Sequence, residues 1–119
     1  MNAAWNWKDH EVQSANKQLR WARQSGSTKK ERDRAALETA NALKPYAGQH
    51  KKPYRITLCR VGKKPLDEHE NLRLAFKAIV DGICDALGVK DHDPVVTFDY
   101  YQCIADCYGV VVMVKGWDV

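Results

Sequence analysis

Residues 66–102 have the sequence LDEHENLRLAFKAIVDGICDALGVKDHDPVVTFDYYQ, and this stretch decides the fold. Its apolar residues fall on one face of a helix with about 3.6 residues per turn, at Leu72, Ala75, Phe76, Ile79 and Ile83. Gly88 is suited to the position that follows the last helical turn. β-Branched and aromatic residues then predominate from Val95 to Gln102. The stretch therefore predicts one helix followed by a β-strand.

The residues before this stretch predict a strand and two helices. Apolar and polar residues alternate from Tyr54 to Val61, as in a half-buried strand. Thr28 and Glu31 have the spacing of a capping box, and the residues after them predict a helix that ends near Leu43. Residues 15–23 predict a further, shorter helix.

The two ends of the chain are less regular. Residues 108–114 (YGVVVMV) predict a third strand. The turn at Ala105 and Asp106 predicts that this strand forms a hairpin with the strand before it. Residues 1–12 contain two tryptophans and fit no element, so we interpret them as an arm that packs on the body of the protein or on a partner.

The length of the chain allows one domain, because 119 residues build a single hydrophobic core with little left over. The predicted fold class is α+β, with a small mixed or antiparallel β-sheet flanked by helices. Within this single domain we expect the arm at 1–12, a basic helical part with the first strand at 13–65, and the acidic motif, the helix and the strand hairpin at 66–119.

Composition narrows the class of protein. Hydrophobic residues make up 45% of the chain and charged residues 29%, which is typical of a globular domain. No apolar run approaches the roughly 20 residues that a transmembrane helix needs, and the amino-terminal residues lack an apolar signal segment. We therefore expect a cytoplasmic protein that does not contact the membrane.

We expect the cysteines to be reduced thiols. There are four of them, and in the cytoplasm such thiols pack as small hydrophobic side chains. Cys103 and Cys107 lie four residues apart, but no second pair of Cys or His at zinc-site spacing accompanies them. We therefore expect no structural zinc.

Charge is divided unevenly along the chain. The net charge is +4, to which residues 1–65 contribute +10 and residues 66–119 contribute −6. A basic part joined to an acidic part is typical of a protein that binds a polyanion with one part and a divalent cation with the other. A solvated helix surface that happens to be rich in Lys and Arg explains the charge equally well.

Acidic residues cluster at both ends of the predicted helix. Asp67, Glu68 and Glu70 lie at its start, and Asp91 follows its end. The helix dipole alone favours one or two carboxylates at a helix start. In an extended lead-in, however, Glu68 and Glu70 would project on the same side, and Mg²⁺ is usually held by a pair of carboxylates with water and phosphate. We therefore expect Glu68, Glu70 and Asp91 to bind Mg²⁺, with Mn²⁺ as a substitute.

A second pattern places cations beside these acids. Glu70, Arg73, Lys77 and Asp81 lie on one helical face, opposite the apolar one. A lysine one or two turns from a metal site can stabilise the negative charge that develops on a phosphate. Lys77 is the candidate for this role. The acids of the following loop can reach the cluster if the next strand pairs beside the preceding one.

Three motifs in residues 66–102 resemble those of the RusA family of Holliday-junction resolvases, especially its prophage-encoded members. The family carries a D-x-D-N-L motif that opens a helix, a D-[AG]-[LI] segment within it and a D-D pair in the loop after it. The corresponding residues here are 68–72 (EHENL), 81–83 (DGI) and 90–91 (KD). A weaker similarity extends upstream to VQSANKQLRWA and PYRITLCRVG.

The resemblance implies an α+β homodimer that binds four-way DNA junctions and nicks paired strands with Mg²⁺. The family's two motif aspartates correspond to Glu68 and Glu70, and the second aspartate of its loop pair corresponds to Asp91. The resemblance therefore implies that these three carboxylates are catalytic and bind the metal ion.

Several positions depart from the family pattern. Both motif aspartates are glutamates, which are longer by a methylene, and the first loop aspartate is Lys90. The family's catalytic lysine corresponds to Leu74, and Lys77, about one helical turn later, is its substitute. The resemblance therefore supports the fold and DNA binding more directly than it supports full activity.

Three functions are consistent with these features. The first is a Mg²⁺-dependent, structure-selective DNA endonuclease that resolves Holliday junctions in recombination and repair. The second is a catalytically degenerate protein that binds DNA junctions, and the third is a protein-interaction module. The candidate DNA-binding residues are cations, most of them in the basic half of the chain: Arg20, Arg23, Lys29, Lys30, Arg55, Arg60 and Arg73.

Overall fold

The structure, a computed structural model, describes residues 1–14, 27–66 and 69–119, with the backbone alone for residue 27 and for residues 69–71. The helix expected at 15–23 lies outside the described residues. The described elements are, in chain order, β1 (Asn2–Lys8), α1 (Ser27–Leu43), a 3-10 turn (Lys44–Tyr46), β2 (His50–Gly62), α2 (His69–Ala75), α3 (Lys77–Leu87), β3 (Val96–Ile104) and β4 (Gly109–Asp118).

The strands form one mixed sheet in the order β1-β4-β2-β3. β4 is antiparallel to both of its neighbours, whereas β2 and β3 are parallel and are joined by the crossover through α2 and α3. Strands were expected at 54–61, 95–102 and 108–114, and all three are confirmed with shifted or extended ends. The α+β class, the single domain and the mixed sheet are also confirmed.

The predicted hairpin between β3 and β4 is wrong. The two strands lie on opposite sides of β2, so that Leu58 at the centre of β2 is paired with Tyr100 of β3 and with Val112 of β4. The backbone N–H of Ala105 donates to the carbonyl of Gly62, which keeps the end of β3 on β2. The following turn therefore passes the end of β2 before β4 begins. Turn residues alone do not distinguish such a connection from a hairpin.

The amino-terminal residues form the edge strand β1. Its partner is β4, with Trp5 opposite Val112. The indole of Trp5 is buried and donates a hydrogen bond of 2.9 Å to the hydroxyl of Thr39 in α1. The amino group of Met1 forms an ion pair of 2.8 Å with Asp118 at the end of β4. The segment that was interpreted as an arm thus packs on the body of the protein as part of the sheet.

The helix predicted after Asn71 is present as two segments, α2 and α3, that meet at Phe76. Hydrogen bonds continue across the break, because the N–H of Phe76 donates to the carbonyl of Leu72 and the N–H of Val80 donates to the carbonyl of Phe76. The predicted apolar face is confirmed, since all five of its residues are buried: Leu72, Ala75, Phe76, Ile79 and Ile83.

Helices α1 and α3 pack closely against each other and cover one face of the sheet. Gly82 allows the close approach, because a Cβ atom at this position would lie 2.2 Å from the backbone oxygen of Arg32. The side chains of the strands that point toward the helices are buried, among them Ile56, Leu58 and Val112. None of the described helices is long and apolar enough to span a membrane.

The opposite face of the sheet is not covered by any described residue that belongs to a helix. Tyr101 of β3 and Met113 of β4 point to this side and are more than half exposed. Arg55 of β2 also lies here and forms an ion pair of 2.6 Å with Asp99 of β3. One face of the sheet is therefore covered by helices and the other is open. The acidic loop between α3 and β3 lies beside the covered face.

Candidate active site

Two carboxylates converge on one lysine at the amino-terminal end of α3. The ammonium group of Lys77 lies 2.8 Å from an oxygen of Asp81 and 2.5 Å from an oxygen of Asp91. The side chain of Lys77 is 56% exposed and that of Asp91 is 38% exposed, so the group is open to solvent and to a large ligand. This cluster brings together two residues that the sequence singled out, Lys77 and Asp91.

The loop after α3 places Asp91 in the cluster. Gly88 ends α3 with a positive φ of 70°, a conformation that an L side chain rarely adopts, and this reverses the direction of the chain. A hydrogen bond from the N–H of Asp93 to the carbonyl of Lys90 then tightens the loop. Because β3 pairs beside β2, the loop lies along α3, as the sequence argument required.

The electrostatics of the cluster favour its charged form. The ammonium group of Lys77 holds the pKa of Asp91 below its usual value, through a hydrogen bond and its positive charge. His92 lies 3.5 Å from the other oxygen of Asp91 and acts in the same direction. The hydrogen bonds to Asp81 and Asp91 raise the pKa of Lys77. Lys77 and Asp91 therefore stabilise each other's charged form.

The cluster borders a depression of about 390 Å³ between α2, α3 and β3. Its charged rim includes Arg73, Lys77 and Asp91, and its apolar part includes Leu74, Val80, Phe98 and Tyr100. Leu74 and Lys77 thus line the same depression, one helical turn apart.

A second depression of about 680 Å³ adjoins the first and shares four of its lining residues. It extends past the loop at Asp91 and around the edge strand β3 to Asp99. Asp99 is the partner of Arg55 on the open face of the sheet. A continuous surface therefore leads from Lys77 around the sheet edge to Arg55.

The two motif glutamates are only partly defined. Glu68 lies outside the described residues, and Glu70 is described by its backbone alone. That backbone belongs to α2, which begins at His69, so Glu70 is not part of an extended lead-in. The expectation that Glu68 and Glu70 project together from an extended segment is therefore wrong at Glu70. A helical Glu70 lies about one turn before Arg73.

The donor atoms of this region suit a hard cation. Asp81 and Asp91 each place an oxygen within hydrogen-bonding distance of the same ammonium group, so these two oxygens lie close to each other. Carboxylate oxygens of this kind are the ligands that Mg²⁺ prefers. The side chains that the structure describes include no group of three His, Cys, Asp or Glu residues that could hold a metal ion by themselves. A complete site would therefore need the motif glutamates.

Of the predicted DNA-binding residues that the structure describes, all but one are exposed on the surface. Lys29 and Lys30 are exposed in the first turn of α1, and Arg73 is exposed beside Lys77. Arg55 is 63% exposed and contributes to the open face of the sheet. Two further candidates, Arg20 and Arg23, lie outside the described residues.

Arg60 is the exception, because it is only 4% exposed. Its guanidinium group donates to the carbonyls of Val12 and Lys64, both at 2.8 Å. Burial lowers its pKa, with the opposing effect of Glu11. Arg60 therefore ties the end of β2 to two backbone segments, and its burial sets it apart from the exposed cations.

Sequence reasoning missed three residues of the site. Asp81 had been placed on the polar helical face, and its spacing of four residues from Lys77 was the signal for an ion pair. Phe98 and Tyr100 were recognised only as strand residues. Their place beside the cluster depends on the parallel pairing of β3 with β2, which no local pattern indicates.

Comparison of the chain with protein-family models gives no match, and no curated protein sequence matches it. Membership of the RusA family therefore stays a prediction that depends on the three sequence motifs.

Proposed function

We propose that this protein is a metal-dependent DNA endonuclease with its catalytic site at the start of α2 and α3. More specifically, we propose a structure-selective nuclease of the RusA type, which cuts four-way DNA junctions in recombination and repair. The observation that carries the proposal is the cluster of Lys77, Asp81 and Asp91, next to α2, the helix whose first turn contains Glu70.

The donor set suggests which residues would hold the metal ion. Glu68, Glu70 and Asp91 would bind Mg²⁺ or Mn²⁺, and Asp81 lies close enough to Asp91 to assist. When bound, Mg²⁺ supplies Lewis-acid polarisation of the scissile phosphate and activation of the attacking water. Glutamate in place of the family's aspartate moves a carboxylate outward, and the position of Asp81 offers a way to compensate.

Lys77 is suited to stabilise charge on the reacting phosphate. Its ammonium group is exposed and stays protonated at neutral pH, since its pKa is raised by the two carboxylates. A fixed cation beside the phosphate stabilises the negative charge that develops in the transition state. Leu74 occupies the position of the family's catalytic lysine, and Lys77 lines the same depression. This supports Lys77 as the substitute that the sequence comparison requires.

The path of the DNA backbone follows the exposed cations. Arg73 lies at the rim of the depression, and the adjoining depression leads around β3 toward Arg55. Lys29 and Lys30 add positive charge at the start of α1. Binding through several phosphates displaces counterions, so the affinity should fall steeply with salt. A second copy of the chain would supply the second site that a pair of symmetric nicks needs.

The experiment that tests this proposal uses a synthetic four-way junction with Mg²⁺ or with EDTA. We expect nicks with Mg²⁺ alone, and their loss in the Asp91→Asn and Glu70→Gln variants with binding retained. The matched control is Asp93→Asn, which changes a neighbouring loop acid that is paired with Lys52 instead of Lys77. Equal cleavage by all three variants would show that the catalytic site does not include Glu70 or Asp91.

The second candidate is a junction-binding protein without activity. The departures at Glu68, Glu70 and Lys90 favour it, because sites held to within about 0.5 Å tolerate a longer ligand poorly. Tight junction binding with no nicks in Mg²⁺ or Mn²⁺ would select this alternative.

A further inference from the structure

The depression beside Lys77 has an apolar wall that phosphate chemistry does not use. Leu74 is 53% exposed at its rim. Val80 is buried at the base, and Phe98 and Tyr100 line the side formed by β3. A cation that binds backbone phosphates thus shares one cavity with a set of aliphatic and aromatic side chains.

The aromatic part of this wall is held in place by the core. The rings of Phe98 and Tyr100 lie 6.4 Å apart with an interplanar angle of 21°. Tyr100 also lies beside Phe76, which is fully buried at the junction of α2 and α3, with ring centroids 6.0 Å apart. Tyr100 is half-buried and lines both adjoining depressions. Its ring is therefore a fixed surface that is accessible from the site.

The charge of the rim indicates what kind of molecule fits. The rim carries two positive groups, Arg73 and Lys77, beside the carboxylate of Asp91, and the volume of about 390 Å³ is within the range of small-molecule sites. A nucleotide unit has this composition, since a flat base with apolar faces is linked to an anionic phosphate. Aromatic side chains stack on any base because every base has a π-face.

We propose that the depression holds an unstacked nucleobase next to the scissile phosphate, with Tyr100 and Leu74 as its contacts. This inference rests on the proposed nuclease function and names the feature of DNA that the site selects. A base inside a duplex cannot enter such a cavity, because it must first leave the stack. Removing a base from the stack costs least where it is already unpaired or at a branch point. The depression thus provides a physical reason for structure selectivity.

The test compares variants of two neighbouring tyrosines of β3. Tyr100 lines the depression, whereas Tyr101 is 56% exposed on the open face of the sheet. Junctions carry 2-aminopurine at successive positions around the branch, and binding is followed by fluorescence in EDTA. We expect a change in emission at one position per strand and about tenfold weaker binding in Tyr100→Ala, as for loss of one stacking contact. Tyr101→Ala should keep the position-dependent change in emission, because its side chain does not line the depression.

The second comparison uses a junction with an abasic residue at the position where the emission changes. The wild type should bind this junction about tenfold more weakly than the intact one. Tyr100→Ala should bind the abasic and intact junctions with nearly the same affinity, because the variant and the abasic residue remove the same contact. Leu74→Ala changes an exposed side chain and gives the same comparison if Tyr100→Ala does not fold.

The outcomes separate this inference from the proposed function. A wild-type protein that binds no junction at low salt overturns both. Binding with emission that does not depend on position, or equal affinities for the abasic and intact junctions, overturns only the base contact. The latter result would assign the depression to another occupant, such as a side chain from a second copy of the chain.

Discussion

At the scale of single residues, the ion pair of Lys77 and Asp91 was foreseen in part. The polar helical face predicted that Lys77 lies near the acids, and the loop position of Asp91 made it a candidate ligand. The distance of 2.5 Å between them could not be predicted, because it depends on the path of the loop after Gly88. Arg60 is buried for a similar reason, since one of the two carbonyls that accept from its guanidinium group belongs to Val12, which is distant in sequence.

The first prediction concerns Lys77. Lys77→Met keeps the length and apolar stem of the side chain and removes the charge. We expect a fall in the junction cleavage rate of roughly a hundredfold, which is the typical effect of losing one charge-stabilising donor. Junction affinity should change little, since many phosphates contribute to it. Single-turnover cleavage and a binding titration measure the two quantities.

The matched control for Lys77 is Lys52→Met. Lys52 also pairs with an acid of the same loop, Asp93, at 3.1 Å. This variant should cleave at nearly the wild-type rate. Equal rates for the two variants would contradict a role for Lys77 in the reaction.

The second prediction concerns the buried hydrogen bond between Trp5 and Thr39. Thr39→Val keeps the shape but leaves the indole N–H without an acceptor. We expect the free energy of unfolding to fall by about 1–3 kcal/mol, the cost of an unsatisfied buried donor. Urea unfolding measures it, with Thr97→Val as the control because Thr97 is exposed on β3. A loss no larger than in the control would argue against a packed β1.

At the scale of elements, the helices were predicted better than the connections. The apolar face of α2 and α3 follows directly from the spacing of their residues. The break at Phe76 and the passage of the chain from β3 to β4 across the end of β2 had no local signal. Strand order depends on which buried faces match over the whole sheet, and a turn sequence reports only that the chain reverses.

The third prediction concerns Gly82, where α1 and α3 come closest. On an isolated helix, Gly→Ala is stabilising by roughly 0.5–1 kcal/mol. Here the added Cβ would lie 2.2 Å from the backbone oxygen of Arg32, which cannot move without shifting α1. We therefore expect Gly82→Ala to be destabilising, by about 1–3 kcal/mol as in overpacked cores. Urea unfolding decides the sign, and a stabilised variant would contradict the observed helix packing.

The fourth prediction concerns pH and the contact between Arg32 and Asp85. Two nitrogens of Arg32 donate to the carboxylate of Asp85 at 2.7 and 3.0 Å, and they hold the pKa of Asp85 below its usual value. A carboxyl whose pKa is lower in the folded state stabilises the fold above its unfolded pKa. That stability is lost as the pH falls through the folded pKa.

NMR titration tests this contact directly. In Arg32→Gln the pKa of Asp85 should rise toward the ordinary value of 3.8. Asp93 serves as an internal control, since its pKa is lowered by the N–H of Val95 and by Lys52. Its titration should not change. The stability difference between the wild type and Arg32→Gln should shrink at acid pH, and a difference that is constant with pH would contradict the assignment.

At the scale of the whole molecule, the basic and acidic halves of the sequence are not separate in space. The sheet interleaves the two halves, because β4 lies between β1 and β2. The acidic cluster lies beside Arg73 of its own half, and the strand order leads from it around the edge of β3 toward Arg55 of the basic half. The helical spacing predicted that Arg73 and Lys77 lie beside carboxylates, but only the topology brings the acidic loop before β3 to them and Arg55 to the same edge of the sheet.

The central claim is most directly tested with the wild-type protein and two substrates of the same sequence, a four-way junction and a linear duplex. With Mg²⁺ or Mn²⁺, we expect paired nicks placed symmetrically on opposing strands of the junction, and no cleavage of the duplex. EDTA should abolish the nicks. A junction that stays intact at saturating protein with either metal ion, or cleavage of both substrates at equal rates, would contradict a structure-selective nuclease.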